Sequence, residues 1–290
     1  MKAALIKLHI AVFLWGFTGV LGRTIQLNEG LLVWYRLLIT IVSLFILMLW
    51  RKEVEKVSFK TTLQLFGVGT LVALHWVCFY GSIKYANVSI ALICLSSAGL
   101  LTALLEPLIS RKKIIVIEIL LGLIAIVGIY LIFHFDTRYR LGIIIGLAAS
   151  LLSVLFSICN KRMLVTIAPK TMMLYQLTGG FIALTFLMPF YLKAFPVASL
   201  LPSIQDWGWL LLLSWVCTIL AMNFSLQALQ KVSAFTQNLT LNLEPVYGII
   251  LAFVVYQENK FLDASFYIGF GLILLAVILQ MLRVVRYKKH

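Results

Sequence analysis

Two of the ten acidic residues sit inside apolar stretches directly ahead of a proline, in Glu106-Pro107 and Glu244-Pro245. Proline deletes a backbone N–H and disturbs the local helix ladder, so free carbonyls beside a carboxylate could hold a proton or a cation. A plainer role stays open, a bent helix whose glutamate hydrogen-bonds within its bundle. Glu106 and Glu244 are therefore candidates for coupling or gating, with Glu106 nearer a polar connector, where an ionisable group costs less. Ahead of Glu244 run Thr236, Gln237, Asn238, Thr240 and Asn242, too polar for a helix facing lipid. Asn238 and Asn242 are four apart and share a face, as do Asn223 and Gln227. Such stripes either line a hydrated cavity or hydrogen-bond between helices at about 0.6 kcal/mol each. The stripe of Ser150, Ser153, Ser157 and Asn160 reads as the second kind.

His75, with Trp76 and Phe79 one turn on, lies near the centre of its apolar stretch, where imidazole titrates near neutrality and can bond a polar ligand or simply pack. Trp15 and Thr18 share a face and offer stacking and a hydroxyl; Trp15 is deeper than the usual interfacial belt. Arg36 is about one turn into its stretch, so its guanidinium either snorkels to the interface or meets an anionic substrate group or a gating carboxylate. Substrate contacts are thus expected at Trp15, Thr18, His75, Trp76, Phe79, Asn223, Asn238 and Asn242, and coupling or gating at Glu244, Glu106 and Arg36.

The elements that must carry these residues are membrane helices. Hydrophobic residues make up 62% of the 290, charged ones 12%, and mean hydropathy is +1.05. Apolar runs recur at the roughly 20-residue length that crosses a hydrocarbon layer. They predict ten spans: Leu5–Gly22, Leu31–Trp50, Thr62–Ile83, Val88–Ser110, Ile114–Phe133, Leu141–Cys159, Met172–Leu192, Trp207–Leu229, Val232–Tyr256 and Ala264–Leu282. Placing both termini in the cytoplasm puts 17 of the 24 Lys and Arg residues in inner segments, as the positive-inside rule requires. The net charge of +14 is then a topology signal spread over loops, and nucleic acid is not an expected partner.

The chain also repeats itself. Ser82-Ile83-Lys84-Tyr85-Ala86-Asn87-Val88-Ser89 is echoed by Gln227-Ala228-Leu229-Gln230-Lys231-Val232-Ser233. Ten spans divide into halves of five, residues 1–138 and 139–290, and an odd number per half turns the second copy upside down. The expected fold is an all-α polytopic membrane protein of ten transmembrane helices in two inverted five-helix repeats, an architecture that places substrate sites near the midplane where the repeats meet.

These residues resemble the EamA-type drug/metabolite transporters. Trp15-Gly16, Arg36, Gly142 with Gly146, Cys217-Thr218, the run from Ala228 to Ala234, Glu244-Pro245 and the closing Gln257-Glu258 carry the resemblance, which covers essentially the whole chain. The first half departs from the pattern: Leu101 or Gly99 stands at the family's mid-span proline of the fourth segment, and Arg111-Lys112-Lys113 replaces the closing glutamate. The resemblance implies a bacterial inner-membrane secondary transporter, an exporter of small polar metabolites such as amino acids, working by alternating access. It places the first, third, fourth, sixth, eighth and ninth spans around the cavity. No cofactor is expected, proton or other ion coupling is left open, and either a monomer or a homodimer is allowed.

Other classes have less to stand on. The chain has no phosphate-cradling G-x-x-x-x-G-K-S loop and no H-E-x-x-H, and Cys78, Cys94, Cys159 and Cys217 lack metal-ligand spacing. An intramembrane hydrolase would need His75 beside a nucleophile such as Cys94 or Ser97. A non-transporting scaffold would leave the repeat without mechanical use.

Overall fold

The computed structural model describes residues 2–111, 113, 115–135, 137–229, 240–241 and 243–287, and among them every regular element is helical. Most of the spans start at side-chain caps or prolines that sequence supplies. Asn28, Ser58, Asn87 and Ser203 each accept a backbone N–H three residues on. They open α2 (Glu29–Trp50), α3 (Phe59–Tyr85), α4 (Val88–Leu95) and α9 (Ile204–Ser214), while Pro169 opens α8 (Pro169–Ala194). The other helices are α1 (Lys2–Thr24), α5 (Ala98–Ser110), α6 (Val116–Phe135), α7 (Arg140–Met163), α10 (Ala221–Leu229), α11 (Glu244–Tyr256) and α12 (Ala264–Tyr287).

Among the described residues, eight helical stretches are long and apolar enough to cross a membrane, counting α4 with α5 and α9 with α10 as single stretches. Two shorter apolar helices follow, Glu244–Tyr256 and Ala264–Leu279. The expected ninth span begins outside the described residues, and its described helix of 13 residues is only about 20 Å long, against a hydrocarbon layer of about 30 Å.

Two features differ from the expected helix geometry. The fourth span is interrupted at Ser96 and Ser97, not at its proline: Pro107 lies inside α5. At the break the Ser97 hydroxyl donates to the Cys94 carbonyl at 2.7 Å and reaches Ser150 Oγ at 2.8 Å. Pro245, in turn, stands in the first turn of α11, where its missing N–H disturbs no ladder bond. Glu244 therefore starts a helix and does not sit in the middle of one.

The halves interlock. In the first half, α3 packs chiefly on α7 and α8; in the second, the stretch from α9 to α10 packs on α1 and α2. α1 lies on α11 as α7 lies on α4 and α5, while α2 meets α8, α4 meets α11 and α6 meets α12. Exchanging corresponding spans of the halves maps these pairs onto one another. The α1–α11 crossing is tight because both helices present glycine: a Cβ on Gly16 would lie 2.9 Å from the Gly248 nitrogen. Large apolar side chains such as Phe186, Phe190 and Val254 point outward, while Arg36, Ser89, Thr218 and Glu258 are buried. Apolar outside and polar inside is the distribution a bilayer solvent selects.

Candidate functional site

The first polar cluster forms around Arg36. Its side chain turns into the bundle and is only 3% exposed, so the snorkelling expectation is overturned. The helix face it occupies looks at α3 and at the eighth span, where neutral acceptors outweigh the reach to the interface. Nε and Nη2 donate to Thr218 Oγ1 at 3.1 and 2.9 Å, and Nη1 donates to the Tyr80 hydroxyl at 2.7 Å. The guanidinium carbon lies 3.7 Å from the centre of the Trp76 ring, a cation–π stack in a desolvated setting. Trp76 and Tyr80 are four residues apart on one face of α3.

Thr218 is aimed by an irregular backbone. Residues Trp215–Leu220 form a π-helical turn between α9 and α10, and the Thr218 hydroxyl donates to the Leu213 carbonyl five residues back, at 2.8 Å. With its proton committed there, the oxygen presents lone pairs to Arg36. Single π-helical turns of this kind recur at functional sites. Ser214, in the turn before, donates to the Arg36 carbonyl at 3.3 Å.

α1 closes the next side of the cluster. Thr18 is buried, donates to the Trp15 carbonyl at 2.6 Å, and its side chain is within reach of the Tyr80 hydroxyl. Trp15 is half-buried against a small cluster of Ala4, Leu8, Val12 and Ala228, on which Leu241, Leu243 and Tyr247 also pack. Glu244 is half-buried on the opening turn of α11, its carbonyl 3.2 Å from where a Gly16 Cβ would stand. The helix N-terminus is a favourable place for its charge.

Other expected site residues go elsewhere. The ring of His75 faces α7: Nδ1 lies 2.8 Å from the Ala149 carbonyl, and the ring stacks on Phe79 and meets Phe156 edge-on. A carbonyl only accepts, so Nδ1 carries the proton of that bond and Nε2 keeps the lone pair when the ring is neutral. Phe79 is buried core. Cys94 donates to the Ile143 carbonyl, and Ser97 is bonded to the Cys94 carbonyl and to Ser150, while the ring of His75 is bonded to Ala149. Glu106 pairs with Lys161 at 2.9 Å, beside the bond from Arg162 to the Ile109 carbonyl, and so ties α5 to α7. Asn223 is half-buried on α10, but its stripe partner Gln227 accepts from Lys7 at 2.7 Å. Asn160 accepts from Gln176 at 2.6 Å, a bond between α7 and α8. Asn238 and Asn242 lie outside the described residues.

A second polar cluster joins the ends of α1, α4 and α11. Glu258, 2% exposed, accepts from Arg23 Nη1 at 2.5 Å, from the backbone N–H groups of Val88 and Ser89 at 3.1 and 2.9 Å, and from the Ser89 hydroxyl at 2.6 Å. Arg23 also stacks on Tyr256, whose hydroxyl donates to the Val20 carbonyl at 3.0 Å. Nearby, Lys84 donates to the Ile25 carbonyl, the Gln26 N–H to Asp206, and Tyr191 to Glu29. At the opposite end of the bundle a cleft of about 590 Å³ opens between α3 and α7, lined in part by Gln64, Cys159, Arg162 and Thr166. Among the described residues no cluster of His, Cys, Asp and Glu could hold a metal ion.

Sequence reasoning assigned no role to Tyr80, Thr218 or Glu258. Tyr80 had a signal in its i, i+4 relation to Trp76, and Thr218 and Glu258 belong to quoted motif pairs. Only the packing brings them to their partners.

Comparison with known proteins places these observations in a wider set. The model of the EamA-like transporter family matches residues 2–134 and 140–282. A Haemophilus influenzae protein named "Uncharacterized transporter" is 29% identical over 190 residues, a match covering 60% of this chain and 60% of that protein. A solved crystal structure superposes with a TM-score of 0.66 at 15% identity, covering 99% of both chains, which shows a common fold.

Proposed function

The chain belongs to the EamA-like transporter family, and from that membership we propose that it is a secondary transporter that exports small polar metabolites, amino acids first among them, by alternating access. Its expected setting is a bacterial inner membrane, ten spans with both termini cytoplasmic, the halves 1–138 and 139–290 being inverted repeats. The observation that carries the reading is the Arg36 cluster. Arg36, Trp76 and Tyr80 come from the first half and Thr218 from the second, so a polar site is buried where the two halves meet inside an apolar bundle. A relative movement of the halves would remake this site, which is what alternating access asks of it.

In this reading Trp15, Thr18 and Trp76 contact substrate, and Glu244, on α11, is the coupling or gating carboxylate. Glu106 closes the α5–α7 contact through Lys161. No enzymatic step is assigned. The Glu258 cluster seals one end of the bundle by bonding the second half's α11–α12 connector to α1 and α4.

The test is purified protein in liposomes, screened against a labelled metabolite panel with and without a proton gradient. Saturable flux of an amino acid or related compound is expected. Absence of saturable flux for every compound overturns the reading in favour of a scaffold.

A further inference from the structure

We propose that Arg36 is the receptor for an anionic oxygen group, a carboxylate or a phosphate, on the transported substrate; the transport half of this statement rests on the reading above. Its charge is the starting point. Arginine stays protonated in proteins, so burial cannot be relieved by losing the proton. Taking an ion out of water costs several kcal/mol unless a countercharge and hydrogen bonds offset it. Arg36 is 3% exposed, and none of the described carboxylates makes an ion pair with it.

The partners it does have are neutral. Thr218 spends its proton on the Leu213 carbonyl and offers lone pairs; the Tyr80 oxygen accepts from Nη1; the Trp76 face covers one side of the plane. These orient the guanidinium without cancelling its charge. A guanidinium carries five N–H groups. One on Nε, one on Nη1 and one on Nη2 are used, so one N–H on each terminal nitrogen has no acceptor among the described residues. Two N–H groups on the terminal nitrogens are what a carboxylate or phosphate engages with two oxygens.

A further open group lies on the same helix. Thr40, one turn along the same face of α2, is fully buried, and its hydroxyl has no hydrogen-bond partner. Buried polar groups are nearly always paired. A charged oxygen ligand at this face would supply the missing countercharge and acceptors together. A substrate offering only a hydroxyl or an amine would leave the charge of Arg36 uncompensated. The substrate class is therefore narrowed from polar metabolites to those with an anionic head, and Trp76 and Tyr80 fix the plane in which it is read.

The experiment uses the full chain in detergent and pairs of compounds of near-equal shape that differ in having or lacking the carboxylate: glycine, L-alanine, L-leucine and L-phenylalanine against their carboxamides, with methyl phosphate and chloride as separate arms. Thermal unfolding reports binding, and competition in the liposome assay reports transport. At least one acid should raise the unfolding temperature at a concentration about tenfold or more below that needed for its carboxamide, or methyl phosphate should do so at a concentration about tenfold or more below that needed for chloride. Arg36→Lys, a point charge without the planar fork, should keep a weaker preference, and Arg36→Gln should lose it. Stabilisation by acids alone assigns a carboxylate, and by methyl phosphate alone a phosphate; both support the receptor. Equal action of acid and carboxamide, no shift with any anion, a full shift with chloride alone, or a preference that survives Arg36→Gln overturns it. Where Arg36→Gln does not fold, the acid and amide comparison on the unaltered protein decides. A binding shift with no flux sinks the transport reading and leaves the receptor standing; flux with no preference for acids does the reverse.

Discussion

Ser89 holds the carboxylate of Glu258 twice, through its backbone N–H at 2.9 Å and its hydroxyl at 2.6 Å. The glutamate follows α11 and the serine lies in the first turn of α4, so the second half of the chain adds an acceptor to a helix start that Asn87 also caps. Arg23 adds a charge-assisted bond from the end of α1. Val88-Ser89 is echoed by Val232-Ser233, but the first half closes on Arg111-Lys112-Lys113 and has no acid to return at that place.

Replacing Glu258 by Ala leaves the Ser89 hydroxyl and the N–H groups of Val88 and Ser89 without this acceptor, and a buried group left unpaired costs about 1–3 kcal/mol. The unfolding temperature should fall, and the end of the bundle should open. In a background lacking the four native cysteines, Thr24→Cys should react faster with an impermeant maleimide when Glu258 is absent. Arg23→Ala should cost less, because Arg23 is 41% exposed and Glu258 keeps its other bonds. Equal labelling rates with and without Glu258 would show that this cluster does not hold the end shut.

Trp76→Leu should weaken substrate binding more than Trp76→Phe. The stack on Arg36 is desolvated, where a cation–π contact is worth about 2 kcal/mol, and phenylalanine retains part of the ring quadrupole. Competition in the liposome assay measures the difference; the same loss in both variants would mean that volume, not the π face, matters.

Gly16→Ala should destabilise by about 1–3 kcal/mol through overpacking, since the new Cβ would meet the Gly248 nitrogen at 2.9 Å and the Glu244 carbonyl at 3.2 Å, both backbone atoms. Gly67→Ala is the control, with nothing within 4 Å of its Cβ. Thermal unfolding of the two variants separates a crossing contact from a general effect of losing glycine.

Lys170 donates to Glu53 at 2.7 Å, outside the membrane helices' apolar centres, and that bond holds the Glu53 carboxyl below the ordinary carboxylate value. A lowered value means that the pair's contribution is present at neutral pH and is lost as pH falls through that value. Lys170→Met should therefore lower the unfolding temperature slightly at pH 7 and not at all in acid. A difference that stays constant across pH would assign the effect to packing. The pair is exposed, so the shift should be small.

Much of the architecture was legible in the residues because hydropathy acts along the chain. Apolar runs of membrane-crossing length, basic connectors and the echoed phrase around Val88-Ser89 are one-dimensional facts, and the helices follow them through the eighth span. Trp15, Thr18, Trp76 and Arg36 could be picked out because a polar or deep aromatic group in such a run demands a reason. What each one faces could not be read there. Arg36 was as free to snorkel as to turn inward; packing of α2 against α3 and the eighth span decided that it meets Tyr80 and Thr218. His75 had the same central depth as Trp76, yet the rotation of α3 sends it to Ala149 on α7. Glu106 and Glu244 looked alike as Glu-Pro pairs, but one sits late in α5 beside Lys161 and the other opens α11 beside Gly16. Depth in a membrane is set by the length of chain on either side, so the sequence carries it. The azimuth of a side chain about its helix axis is set by which neighbours pack closest, and only the tertiary structure decides that.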